Sequence, residues 1–94
     1  MNLKKLFFLL TILITLSCDA EKFTTANGEV HEVSSLIGMD VFDIAYGYSE
    51  VSPETLNGTN NQKWVVYYKD IDVTLVTNKS TNIVQSASKG KNPE

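Results

Sequence analysis

The sequence predicts an α+β domain in which a helix–break–helix packs on a three-stranded antiparallel β-meander. Three observations predict it. In H-E-V-S-S-L-I-G-M-D-V-F-D-I-A-Y-G, residues 31–47, Val33, Leu36, Ile37, Val41, Ile44 and Ala45 recur at spacings of three and four, the period of one helical face. Residues Trp64–Tyr68, Ile71–Thr77 and Ile83–Ser86 are instead rich in β-branched and aromatic side chains, which suit a pleated surface. The connections between these runs, Lys69-Asp70 and Asn78–Asn82, are short, and hairpin connections of that length favour antiparallel pairing.

Taken in order, the helical stretch is interrupted at Gly38, and Asp40 stands where a second helix needs its N-cap. Gly47 is placed to close that helix in a left-handed conformation. Residues 48–61 read as loop, with Ser52-Pro53 and N-G-T-N-N supplying turn chemistry. Asn57-Gly58-Thr59 and Asn78-Lys79-Ser80 match the glycosylation pattern but are read as loop residues. In the middle strand Ile71, Val73 and Leu75 share one face, and Asp72 and Thr74 the other. In the first, Trp64, Val66 and Tyr68 oppose Val65 and Tyr67. One set belongs under the helices; the other lies on the open face of the sheet.

The chain opens differently. Lys4 and Lys5 precede an apolar run of 11 residues, Leu6 to Leu16. As a helix that run spans about half of the ~30 Å hydrocarbon layer, too short to cross it and suited to a signal peptide. Ser17 and then Cys18, the only cysteine, follow directly. This segment resembles a bacterial lipoprotein signal, although Thr15 and Leu16 depart from the usual Leu and small residue of the lipobox. The resemblance implies cleavage before Cys18, attachment of a diacylglyceryl group to its thiol and acylation, as with palmitate, of the new amino terminus. A lipid-anchored domain is then expected on the cell membrane or outer membrane, facing the periplasm or the cell exterior. Asp19 resembles the inner-membrane retention signal of enteric bacteria. Two or more acyl chains hold stably where one is marginal.

The expected organisation is a signal peptide over residues 1–17, a lipidated Cys18 and flexible tether over 18–30, the α+β domain over 31–86, and a disordered tail over 87–94. Asn27-Gly28 offers a second reading of the tether as a small hairpin, ranked lower because its flanking runs are short. The order of elements from Leu36 to Ser86, with G-M-D at Gly38–Asp40, Trp64 opening a strand and I-D-V-T-L-V as its neighbour, is similar to that of the BamE/SmpA-like outer-membrane assembly lipoproteins. That likeness implies a scaffold or assembly role.

Charge narrows the function. After residue 17 the chain holds six lysines against eleven acidic residues and no arginine, a formal charge of −5. That argues against nucleic acid, which needs a basic face, and against docking on anionic headgroups. No catalytic set is expected. His31 beside Glu32 lacks a nucleophile or metal to act on. Asp70, Asp72 and Asp43 fall short of the oxygens calcium requires, and a lone Cys18 with His31 cannot complete a zinc site. No metal or cofactor is expected, and the chain is not expected to be an enzyme. Trp64, Tyr67, Tyr68, Tyr46, Tyr48 and Phe42 are a heavy aromatic load for so small a core. Trp64, Tyr67 and Val76 are the candidate contact residues for an envelope protein partner, since aromatics concentrate at contact hot spots. An inhibitor or immunity-type protein blocking an enzyme, or a small-ligand carrier, are the alternatives.

Overall fold

The computed structural model describes residues 20–92; the leader and Cys18 lie outside them. The described part of the chain opens with a hairpin, β1 (Lys22–Thr24) against β2 (Val30–Glu32), with Phe23 opposite His31. Its turn is closed by Thr25 N–H to Glu29 C=O at 2.8 Å and Gly28 N–H to Thr25 C=O at 3.0 Å. Gly28 has φ +93°, the left-handed conformation that follows a type I turn in a three-residue hairpin loop. Residues 22–30 of the stretch expected to be tether therefore belong to a hairpin. What stabilises so short a hairpin is Phe23, buried with its ring centroid 5.9 Å from those of both His31 and Tyr48. Ala26 N–H also donates to Tyr48 C=O at 2.9 Å.

Where the first helix was expected there is only a single 3-10 turn, Val33–Leu36. Val33 and Leu36, three apart, are both buried, and one turn of three residues suffices to bring them to the same side. Ile37, counted in the helical stripe, is instead 49% exposed. Ser35 Oγ donates to Glu32 C=O at 2.6 Å, and Gly38 at φ +93° turns the chain away. The second helix forms as α1 (Val41–Gly47), with Val41 and Ile44 buried. Asp40 caps it, its carboxylate accepting from Phe42 N–H at 2.9 Å. Gly47 is not left-handed; the helix ends with Tyr48 and Ser49 N–H both on Ile44 C=O.

The main sheet has four antiparallel strands in the order β3-β4-β5-β6: β3 (Glu54–Thr55), β4 (Lys63–Tyr68), β5 (Val73–Asn78) and β6 (Val84–Lys89). The described residues thus form one α-helix with sheets of two and four strands, mostly β, and this overturns the helix–break–helix on a three-stranded meander. The middle strand starts at Val73; Ile71 is a buried residue of the preceding turn, and Asp70 and Asp72 sit in that turn as well. The last strand runs on to Lys89, past Ser86, because its stability comes from the ladder with β5 rather than from apolar side chains. Gly90 and Asn92 hook back on Thr74, whose hydroxyl donates to Gly90 C=O and accepts from Asn92 N–H at 2.9 Å.

Both faces of the sheet are covered, so β5 is buried along nearly its whole length. On one face Val66, Tyr68, Val73 and Leu75 meet Phe23, Val33, Leu36, Val41 and Ile44. On the other a small cluster joins Leu56, Val65 and Val76, with Tyr67 packed against it. Among the described residues no helix is long and apolar enough to cross a membrane.

Candidate partner-binding surface

The Val41, Ile44 and Ala45 stripe of α1 faces the core, which turns Phe42 and Tyr46 outward. They are four apart and so adjacent on the helix surface. Tyr46 is 86% exposed and Phe42 45%. The helix start is pinned to the start of β6. Gly38 N–H donates to Val84 C=O at 2.8 Å, Val84 N–H to Met39 C=O at 2.9 Å, and Val41 N–H to Asn82 C=O at 2.8 Å. Asp40 forms a bridge with Ile83. Ile37, 49% exposed, and Ile83, 36% exposed, lie on the two segments that this pairing holds side by side. Ile37, Phe42, Tyr46 and Ile83 are therefore exposed on backbone segments that this pairing ties together, and Asp40 and Asp43 flank Phe42 closely in sequence. The two carboxylates sit at the helix N-terminal turn, where negative charge is favoured.

The contact residues expected from the sequence are not gathered into one patch. Trp64 is half-buried against the main core, and its indole N–H donates to Thr55 Oγ1 at 3.1 Å. Tyr67 and Val76 share the opposite face, but Val76 is only 8% exposed. The Tyr67 hydroxyl donates to Asp72 Oδ1 at 2.6 Å, and the Lys91 ammonium lies 6.0 Å from its ring centroid while pairing with Glu54 at 2.9 Å. The hydrogen bond to Asp72 raises the Tyr67 pKa above its ordinary value, helped by burial and by the charges of Asp72 and Glu54. These three side chains are largely spent on intramolecular contacts.

The polar candidates have partners of their own. His31 stacks on Tyr48, ring centroids 5.0 Å apart, and its Nε2 lies 3.1 Å from Glu29 Oε1, so Glu29 rather than Glu32 is its carboxylate. Asp70 accepts from Ser49 Oγ at 2.8 Å and Glu50 N–H at 2.7 Å, clasping the end of α1 to the β4–β5 turn. Asp72 serves Tyr67 and lies 4.0 Å from the Lys89 ammonium. Asp43 is in the first turn of α1. Among the described residues no group of three or more His, Cys, Asp or Glu could hold a metal. A shallow cleft of about 170 Å³ lies between Ala20, Glu21, Val33, Ser34 and Ala87.

In the sequence Phe42 and Tyr46 stand out only as part of the aromatic load, and Ile37 and Ile83 do not stand out as contact residues. The available signal was that Phe42 and Tyr46 fall outside the Val41–Ile44–Ala45 stripe yet share a helical face. Comparison with models of known protein families, with curated proteins and with solved structures returned no match.

Proposed function

We propose that this is a lipid-anchored protein of the bacterial cell envelope whose small domain binds another envelope protein and performs no chemistry of its own. The leader supports the location: two lysines, an apolar run too short to span the membrane, then Ser17-Cys18. Acylated Cys18 is the membrane anchor in this reading. The observation that carries the binding role is Tyr46, almost fully exposed one helical turn from exposed Phe42 on a helix whose opposite face is buried. Exposed tyrosine and phenylalanine supply large contact area at little conformational cost. With a net charge of −5 after residue 17 and two carboxylates beside the surface, the complementary partner carries an apolar groove with a basic rim.

The test pairs two variants. Affinity capture from detergent-solubilised membranes is run with the natural chain, with Phe42→Ser/Tyr46→Lys, and with Asn57→Lys, a substitution in the β3–β4 loop. A partner held by the natural chain and Asn57→Lys, and lost from the double variant at unchanged thermal midpoint, is the expected result. Retention by the double variant removes this surface from the reading, and repeated failure to recover any partner removes the binding role. Replacing Cys18 with Ser is expected to release the protein from the membrane fraction.

A further inference from the structure

We infer that the domain has almost no free tether and is seated with one particular side, the open edge of β6 beside Ala20 and Ser34, directly against the bilayer. This rests on the reading of Cys18 as the acylated residue and adds to it an orientation and a second partner surface, the lipid headgroup layer.

The first support is the distance along the chain. A tether running to residue 30 would have an r.m.s. reach of about 20 Å. The ordered structure starts well before that. Lys22 is already in β1, Glu21 C=O accepts from Val33 N–H at 2.9 Å, and Ala20 with Glu21 lines the cleft shared with Val33, Ser34 and Ala87. One residue, Asp19, separates Ala20 from Cys18, so the two peptide steps reach at most about 7 Å. Acyl chains in the hydrocarbon hold the sulfur at headgroup level. The cleft and its rim are then held there too.

The second support is what borders the cleft. In the β5–β6 ladder, Gly90 N–H donates to Asp72 C=O at 2.8 Å, and Asn78 N–H to Ile83 C=O at 3.0 Å. Those pairs fix which residues of β6 point their backbone groups inward. Alternation, with the irregularity near Val76 and Thr77, leaves Val84, Ala87 and Lys89 pointing outward. Gly38 and Met39 satisfy Val84. Among the described residues no backbone group pairs in this way with Ala87, while Lys89 C=O accepts from the Asn92 side-chain amide at 2.8 Å. An uncovered edge is a template for stray strands, and here the exposed side chains of the strand are Gln85 and Ser86, uncharged. Turned to the headgroup layer, this edge meets water and polar lipid and is screened from other chains. Glu21 at the cleft gives anionic lipid no attraction, so the short leash, not charge, does the seating.

The test introduces a single cysteine at Ser34, at the cleft, or at Asn57, beside the far edge of the sheet, in the full chain processed by its own host. Both positions are exposed. Alkylation by a membrane-impermeant maleimide is timed in intact membranes and in detergent, with and without a Gly/Ser insert of about 15 residues after Asp19, whose r.m.s. reach is about 20 Å. Intact mass of the same samples reports acylation. The expected result is that Ser34→Cys reacts severalfold more slowly than Asn57→Cys in membranes, that insert or detergent abolishes the difference, and that added salt leaves it unchanged. Equal rates in a protein whose mass shows acyl chains overturn the seating while leaving the anchor standing. A difference abolished by salt overturns the leash as its cause. A mass without acyl chains overturns the anchor itself and the seating with it.

Discussion

Replacing Thr77 with Val is expected to stabilise this protein, although it removes a polar group from a β-strand. Thr77 lies on β5 opposite Trp64 and Val84 and is 0% exposed, and its Oγ1 is a buried atom with no hydrogen-bond partner. A hydroxyl buried in that way costs about 1–3 kcal/mol. Valine keeps the β-branched shape and its χ1 preference while exchanging the hydroxyl for a methyl group. The gain at the low end of that range, about 1 kcal/mol, raises the melting temperature of a domain this size by about 4–8 °C. The assay is thermal and urea unfolding by circular dichroism, looking for a higher urea midpoint at unchanged slope. Thr74→Val supplies the opposite sign on the same strand: its hydroxyl is equally buried but joins Gly90 C=O and Asn92 N–H, so its loss should destabilise. A neutral or destabilising Thr77→Val, or two variants moving in the same direction, would refute the reasoning.

Two further expectations concern charged and titrating groups. Asp70→Ala removes both bonds of the clasp to Ser49 and Glu50; because Asp70 is exposed, the cost is expected at about 1 kcal/mol, with faster hydrogen exchange at the Glu50 amide as the local readout. Tyr68 has its pKa raised above 10.0 by burial and, secondarily, by the charge of Asp70. With the folded pKa above the unfolded one, its contribution is fully present below 10.0 and is lost as the pH climbs through the folded value. Alkaline titration of unfolding should therefore show a decline that is shallower in Tyr68→Phe.

How legible the fold was depended on where each element draws its stability. The β4 and β5 strands announce themselves because V-V-Y-Y and V-T-L-V carry their own buried side chains. The same holds for α1, whose Val41 and Ile44 face the core behind an Asp40 cap. The β1–β2 hairpin ranks below a tether in the sequence because its runs are short; its anchor is one phenylalanine, buried beside rings contributed by His31 and by Tyr48, which lies far along the chain. Val33 and Leu36 are compatible with either a helix or a single tight turn, and only the exposed position of Ile37 separates the two. The start of β6 reads as strand, whereas its end, residues 87–89, reads as polar tail because its order comes from backbone pairing with a neighbour. At the candidate surface, local spacing reveals the Phe42–Tyr46 face. The juxtaposition of Ile37 and Ile83 depends on pairing between segments some 45 residues apart, which no local pattern encodes.

The packing of residues 33–36 against β6 has a consequence for how the chain is made. The beginning and the end of the folded region form one seam, with Ala20 and Ala87 on the same cleft. Of the strands described, β6 leaves the ribosome last. Until it arrives, the early turn and the outer side of β5 both wait without their neighbour, so closure of the core is deferred until β6 is made, and loss of residues 20–21 or of β6 opens the same join.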